Sequence, residues 1–378
     1  MKHIKGLDTL RAFAVIMVII THWGPLFDES MPVARFIQTF FVPDGAFGVT
    51  LFFVLSGFLI TSILLKARPG NGNQNRFVTV KNFFFRRVLR IFPIYYLLIG
   101  FLYLINFGDV RANIWYSATY TLNMLCYRTN AWNSISHVWT LAIEEQFYLL
   151  WPWLIIFTGK KYLKYVFWGA IITGVVSTYF VEVVWGHMDP FLVINCFDAF
   201  GIGGFYAWAM ANDRIRPKFE KTVNWLALIC WIIYFYWKVC FYTHNPPQNG
   251  IFIGKTVVSI ICLWLVMQVT NNKSVILRKY LWENRFFNYV GKISYGIYLY
   301  HSPFIPLLSP AYKAFLDRLA VQLPAISGML TSWAFLYWTQ LVILLGICTV
   351  SYYVIEKPIL DLKRFFKYKE RDHEFSET

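Results

Sequence analysis

The chain alternates between long apolar runs and short polar loops. Ten runs are long enough to cross a hydrocarbon core of about 30 Å. They lie at 7–26, 46–65, 88–106, 138–158, 163–185, 191–211, 222–243, 251–270, 287–306 and 332–354. In lipid a helix satisfies its own backbone hydrogen-bonding groups, so these runs are expected to be helical. The pattern predicts an all-α fold, a polytopic membrane helix bundle with about ten transmembrane helices.

An eleventh apolar segment, 112–126, is interrupted by polar side chains. These are Asn113, Ser117, Thr119, Thr121 and Asn123. Counting the segment as a span would invert the topology of everything after it and place Lys160 and Lys161 outside. We therefore expect a re-entrant or interfacial piece.

The charge pattern supplies the topology. The net charge is +15, although only 15% of residues are charged and 57% are hydrophobic. With ten spans, both chain ends and the loops after the second, fourth, sixth and eighth spans carry the clustered Lys and Arg residues. The positive-inside rule makes these loops, and both termini, cytoplasmic. Membrane lipids therefore account for the basic charge, and no nucleic-acid partner is expected.

The chain divides into a membrane domain, 1–358, and a charged cytoplasmic tail, 359–378. The first span follows Lys2 and Lys5 like a signal peptide, but it is too long and lacks a small-residue cleavage site, so we expect a retained signal anchor. The six cysteines lack metal-ligand spacing and are expected to be small buried hydrophobic residues, with no metal site.

The first span carries Asp8, Arg11 and His22. Eleven residues separate Arg11 from His22, which places them within ~20° of one helix face and ~16 Å apart. Ionisable residues inside a membrane are costly and usually functional. One interpretation makes His22 a base that takes a proton from a hydroxyl. The alternatives are an Asp8–Arg11 ion pair near the cytoplasmic interface and a hydrogen-bonded core histidine near the outer one.

Three arginines lie at the start of the third run, Arg86 and Arg87 just before it and Arg90 inside it. Arg87 and Arg90 lie one helical turn apart at its cytoplasmic mouth. They could be a positive-inside anchor or a contact to anionic lipid. They could also clamp phosphate, because guanidinium groups match phosphate oxygens and stay charged.

Two other runs carry polar groups. Glu144 and Glu145 point about 100° apart on a helix, so we expect one to face the bundle and the other the interface. His137 could join them or be interfacial. In the run 45–61, the small residues favour helix packing, and Ser56 lacks a neighbouring base that would support a catalytic serine.

Six motifs in this order resemble the membrane-bound acyltransferase 3 family of O-acyltransferases. They are Leu-Asp-x-Leu-Arg at 7–11 with His22, Phe-Phe-Val-Leu-Ser-Gly-Phe-Leu-Ile-Thr at 52–61, Arg-Arg-x-x-Arg-Ile-x-Pro at 86–93, Trp-Thr-Leu-x-x-Glu-x-x-Phe-Tyr at 139–148, Ile-Ser-Tyr-Gly-Ile-Tyr-Leu-Tyr-His at 293–301 and Ile-Glu-Lys-Pro at 355–358. The resemblance covers nearly the whole chain. Thr140 stands where the family commonly has Ser.

The resemblance implies a membrane acyltransferase domain that transfers an acyl group, most simply acetyl, from cytoplasmic acyl-CoA to a hydroxyl of an extracytoplasmic sugar. It implies His22 as catalytic histidine, Glu144 as the matching carboxylate, and Arg11, Arg87 and Arg90 as donor-binding residues. Further residues have substrate or structural roles. These are Asp8, Arg86, Tyr96, His137, Tyr295 and His301.

We accordingly expect a carbohydrate O-acetyltransferase of the bacterial inner (plasma) membrane, with acetyl-CoA or another acyl-CoA as donor and no tightly bound cofactor. Its acceptor would be a carbohydrate or lipid-linked saccharide of the cell envelope, reached without a fused extracytoplasmic domain. Direct transfer and an acyl-histidine intermediate both remain open, and a homo-oligomer is allowed. The alternative is a transporter or flippase of lipid-linked saccharides, although we find no internal half-repeat. A receptor or scaffold leaves Arg11, His22 and Glu144 unexplained.

Overall fold

The computed structural model describes residues 4–24, 31–68, 75–187, 191–242, 251–271 and 274–366. Part of the predicted tail, 367–378, lies outside these residues, as does Lys2 of the predicted signal anchor. The described chain is helical and contains no strands. The all-α prediction is confirmed.

Seventeen α-helices follow one another in the described ranges. They are α1 (Lys5–Trp23), α2 (Pro32–Phe41), α3 (Gly45–Ala67), α4 (Arg76–Leu104), α5 (Ile114–Ala118), α6 (Leu122–Thr129), α7 (Trp139–Phe157), α8 (Leu163–Thr178), α9 (Phe197–Met210), α10 (Arg216–Tyr242), α11 (Ile251–Asn271), α12 (Val275–Leu277), α13 (Arg285–Lys292), α14 (Ser294–Gln322), α15 (Ser327–Leu330), α16 (Trp333–Ser351) and α17 (Lys357–Asp361). Short π-helical turns extend α8, α12 and α16, and a 3₁₀ turn, Ser136–Val138, precedes α7.

Seven helical segments of the described residues are long and apolar enough to cross a membrane. They are Gly6–Trp23, Pro32–Ala67, Arg76–Leu104, Lys160–Val184, Arg216–Cys240, Gly254–Asn271 and Trp333–Phe365. The predicted runs 138–158, 191–211 and 287–306 are not among them, because α9 has only 14 residues and α7 and α14 carry more polar side chains. The chain is a multi-pass membrane protein, while the count of ten and the cytoplasmic termini stay predictions.

The segment 112–126 folds as two short helices, α5 and α6, as expected for a piece that does not cross the membrane. The hydroxyls of Tyr95 and Tyr96 on α4 each donate a 2.8 Å hydrogen bond, to the carbonyls of Ser117 and Ala118 respectively. Tyr96, a candidate substrate or structural residue, therefore links α4 to the end of α5.

Close helix packing brings α3 against α9. A Cβ atom at Gly57 would lie 2.2 Å from the carbonyl oxygen of Phe200, and one at Gly203 would lie 2.2 Å from that of Val54. Only glycine permits this approach, so the packing role predicted for the small residues of the run 45–61 holds at Gly57.

An ion pair that the sequence analysis did not single out joins α9 to α11. Lys255 Nζ lies 3.3 Å from Asp198 Oδ1, and the Thr256 hydroxyl donates a 2.9 Å hydrogen bond to Asp198 Oδ2. Lys255 also donates to the carbonyl of Asn195. The Asp198 side chain is only 2% exposed.

We expect Asp198→Leu and Lys255→Met each to lower the free energy of unfolding by about 3–5 kcal/mol, because each leaves an uncompensated buried charge. The double variant should recover most of that loss. Chemical unfolding in detergent measures all three. The exposed pair Arg278–Glu283 is the matched control, where Arg278→Met should cost under about 1 kcal/mol. Additive losses in the double variant would show that the two charges are not coupled.

Candidate active site

Two adjoining cavities penetrate the bundle. The larger, ≈ 370 Å³, lies at the end where α1 begins and is lined there by Ile4, Leu360 and Lys363. The smaller, ≈ 90 Å³, lies deeper, beside α3 and α7. Five residues line both cavities: Arg11, Leu59, Arg87, Arg90 and Tyr295. Three of the five are the arginines that the sequence predicted as donor-binding residues.

Arg11 is ion-paired and also lines the cavities. Its guanidinium donates a 2.5 Å hydrogen bond to Asp8 Oδ1, one helical turn away, so the ion pair exists. Arg11 nevertheless lines both cavities, and Asp8 lines the larger one. The carboxylate therefore fixes the arginine without removing it from the cavity.

The three arginines of α4 face two different regions of the protein. Arg87 and Arg90 line both cavities, and the Arg87 guanidinium lies 4.9 Å from the ring centroid of Tyr148. Arg86 faces elsewhere and donates 3.1 Å hydrogen bonds to the carbonyls of Lys363 and Phe366. Arg86 thus ties the end of the described chain to α4, which favours its structural role.

Glu144 lies in the deeper cavity and is held by two hydroxyl groups. Ser56 Oγ donates to Glu144 Oε1 over 2.9 Å, and the Tyr148 hydroxyl donates to Oε2 over 2.9 Å. Sequence analysis missed both partners. The spacing of four residues between Glu144 and Tyr148 on one helix was an available signal, whereas nothing in the sequence linked Ser56 on α3 to α7.

Glu145 differs from expectation. One of its carboxylate oxygens is buried and forms no hydrogen bond with the described residues. The carboxylate lies close enough to Tyr95, Tyr96 and Tyr120 to interact with them electrostatically. The short helix α6 packs against α7. Glu145 is half-buried beside protein, whereas one of the two glutamates was expected to face the interface.

Three histidines from distant parts of the chain form a cluster. The ring centroid of His301 on α14 lies 4.9 Å from that of His22 and 5.1 Å from that of His137. His137 therefore joins the other histidines and not the glutamates. Burial lowers the pKa of His137, which lies before α7, to about 3, so this ring is neutral. His22 is bonded to the Val18 carbonyl at 2.9 Å, so that carbonyl orients the imidazole.

Tyr298 connects the deeper cavity to the histidine cluster. It lines the cavity, and its hydroxyl donates a 2.9 Å hydrogen bond to the carbonyl of His137. Its ring centroid lies 5.5 Å from that of His301. Thr140, the departure from the family motif, lies 2.5 Å from the Tyr298 hydroxyl. The hydroxyl that Thr140 retains is therefore hydrogen-bonded to Tyr298.

The larger cavity is suited to an anion. Its basic residues are Arg11, Arg87, Arg90, Lys292 and Lys363, against two acidic residues, Asp8 and Glu356. Guanidinium groups bind phosphate through paired hydrogen bonds. Among the described residues, no three His, Cys, Asp or Glu side chains are arranged to hold a metal ion.

Residues 4–357 match the family model of the acyltransferase 3 family, described as an acyltransferase domain. The chain belongs to this family. The match covers nearly all of the chain, so the family prediction made from six motifs is confirmed, and the chain is a multi-pass membrane protein with an acyltransferase domain.

Curated relatives of this acyltransferase 3 chain are named as O-acetyltransferases. "Putative O-acetyltransferase SACOL0978" of Staphylococcus aureus is 27% identical over 84% of this chain and 54% of its own length. "Putative peptidoglycan O-acetyltransferase YrhL" of Bacillus subtilis is 27% identical over 95% and 55%. "Peptidoglycan O-acetyltransferase OatA" of Listeria monocytogenes is 28% identical over 82% and 51%.

The chain thus spans about half the length of these relatives. No solved structure matches it.

Proposed function

We propose that this acyltransferase moves an acetyl group from acetyl-CoA, bound from the cytoplasmic face, to a hydroxyl of an extracytoplasmic glycan, with His22 as general base. One observation carries the proposal. Arg11, Arg87 and Arg90 line both adjoining cavities, and the deeper cavity extends to Tyr298, which contacts the histidine cluster.

The donor end of the proposal rests on charge and length. The cations of the larger cavity would hold the CoA phosphates. Arg11 and His22 share one helix face about 16 Å apart, so the group between phosphate and thioester must be long and thin. The pantetheine arm has that shape, and it would pass Leu59 and Glu144 on the way.

The chemistry follows from the tautomer of His22. Its Nδ1 is bonded to the Val18 carbonyl, which can only accept, so Nδ1 carries the proton of the neutral ring. Nε2 then has a free lone pair and can take the proton of an acceptor hydroxyl. The hydroxyl oxygen attacks the thioester carbonyl, the carbon–sulfur bond breaks, and the leaving thiolate receives the proton from His22.

Glu144 would act along the donor path. Its two hydroxyl partners fix it in the deeper cavity, while Val18 already orients His22. A fixed carboxylate beside the arginines can place the donor chain before reaction.

The acceptor class comes from the relatives. Two of those above are named as peptidoglycan O-acetyltransferases, one of them with the word "putative". We infer a cell-wall glycan as acceptor for this chain, reached from the side where His22 ends α1.

Membrane vesicles of defined orientation test the sidedness. Inside-out vesicles, loaded with soluble cell-wall glycan fragments, should transfer radiolabelled acetyl from external acetyl-CoA to the fragments and release CoA thiol. Right-side-out vesicles with fragments outside should do so only after permeabilisation, because acetyl-CoA does not cross lipid. His22→Ala vesicles give the background. Equal transfer by both intact preparations would contradict a cytoplasmic donor site, and label moving without thiol release would indicate transport.

A further inference from the structure

The three clustered histidines share one hydrogen-bonding arrangement. His22 Nδ1 lies 2.9 Å from the Val18 carbonyl, His301 Nδ1 lies 2.6 Å from that of Tyr298, and His137 Nε2 lies 3.2 Å from that of Leu299. A carbonyl only accepts, so each of these nitrogens carries the ring proton. In the neutral ring the other nitrogen of each histidine is a bare acceptor.

Two of the bare nitrogens lie inside the protein. His301 is 0% exposed and His137 is 4% exposed. His301 Nε2 and His137 Nδ1 have no hydrogen-bond partner among the described residues. A buried acceptor without a donor is destabilising, so a donor that reaches one of these nitrogens during function would stabilise it.

Two backbone carbonyls of α14 near His301 accept hydrogen bonds from other parts of the cluster. Pro303 has no N–H, which leaves the carbonyl of Leu299 free for His137. Trp23, next to His22, donates a 3.0 Å hydrogen bond from Nε1 to the carbonyl of His301. The turn of α14 that carries His301 is thus attached to the end of α1 that carries His22.

The rings of His22 and His301 are close enough for a hydrogen bond to form when one of them turns. Their centroids are 4.9 Å apart and their planes are inclined by 71°, and two imidazoles joined by an N–H···N bond of about 2.9 Å have centroids about 5 Å apart. While both rings are neutral, neither Nε2 carries a proton, so the two nitrogens cannot bond to each other. Once His22 Nε2 takes a proton, it becomes a donor beside a free acceptor.

We infer that His301 is a positioning residue that accepts a hydrogen bond from protonated His22 through Nε2. This inference rests on the function proposed above. The hydroxyl proton passes to His22 Nε2, is held there by His301 while the carbon–sulfur bond breaks, and leaves with the CoA thiolate, which restores both neutral rings. His301 contributes an acceptor and no charge.

Asparagine and glutamine substitutions at position 301 distinguish the role of Nδ1 from the role of Nε2. His301→Asn can keep the donor to the Tyr298 carbonyl but has no acceptor near the Nε2 position. His301→Gln can place its amide oxygen near Nε2 but loses that donor. In the full-length protein we expect His301→Asn and His301→Leu to lower the saturated acetyl-transfer rate by about 10- to 100-fold, with acetyl-CoA affinity unchanged. His301→Gln should stay within a few-fold of wild type.

The reverse order, with Asn more active than Gln, would show that His301 only holds α14 and would overturn the inference. So would a normal rate in all three variants. His187→Gln is the matched control, because His187 also has an unpartnered buried ring nitrogen but stacks on Tyr127. If His22→Ala keeps normal transfer, the proposed function itself fails. If His22→Ala is inactive and His301→Asn is normal, only the role of His301 fails.

Discussion

Replacing Arg87 and Arg90 together by alanine is expected to remove measurable acetyl-CoA binding. Both guanidiniums line both cavities. Hydrogen bonds between charged groups contribute about 1.5–3 kcal/mol each, so losing two should raise Kd at least about 100-fold. Titration calorimetry of the purified protein in detergent measures the change directly.

The control variant loses the same two positive charges at positions outside the cavities. Arg76 and Arg278 lie on the side predicted to be cytoplasmic, and neither lines the two cavities. The variant Arg76→Ala with Arg278→Ala should bind acetyl-CoA like wild type. If both double variants bind equally weakly, the effect comes from net charge, and if both bind normally, the arginine clamp is not the donor site. Thermal unfolding checks that each variant is folded.

Most of the fold can be predicted from the sequence because the chain lies in a lipid membrane. Because a membrane span must be helical, apolar runs predict helices with bounds close to those observed, as in α1, α3 and α16. The charge asymmetry also excluded 112–126 as a span, and the structure has short helices there. The tilt and pairing of helices carry no such signal. The contact of Gly57 with the Phe200 carbonyl could not be located from the pattern.

The sequence could predict which candidate site residues lie together when those residues belong to one helix. Arg11 and His22 share a face because helical geometry fixes it, and Arg87 and Arg90 line the same cavities for that reason. Contacts between distant segments were not predictable. Ser56 meets Glu144 from another helix, and His301 meets His22 from the far end of the chain.

Removing the imidazole of His22 is expected to stop acetyl transfer. A general base contributes about 10²- to 10⁴-fold to a rate, and the other two histidines of the cluster, His137 and His301, are buried. His22→Ala should therefore lower transfer by that factor, while acetyl-CoA binding stays unchanged, because the arginines that line both cavities remain. Thiol release in detergent measures the rate and calorimetry the affinity.

His187→Ala, outside the cluster, is the control and should transfer normally. A folded His22→Ala protein that binds acetyl-CoA and turns over at the wild-type rate would falsify the mechanism. The same variant also separates the two chemical routes. If the acetyl group rests on Nε2, wild-type protein given radiolabelled acetyl-CoA without acceptor should become labelled and His22→Ala should not. If transfer is direct, neither protein is labelled, because the hydroxyl whose proton Nε2 removes is itself the nucleophile.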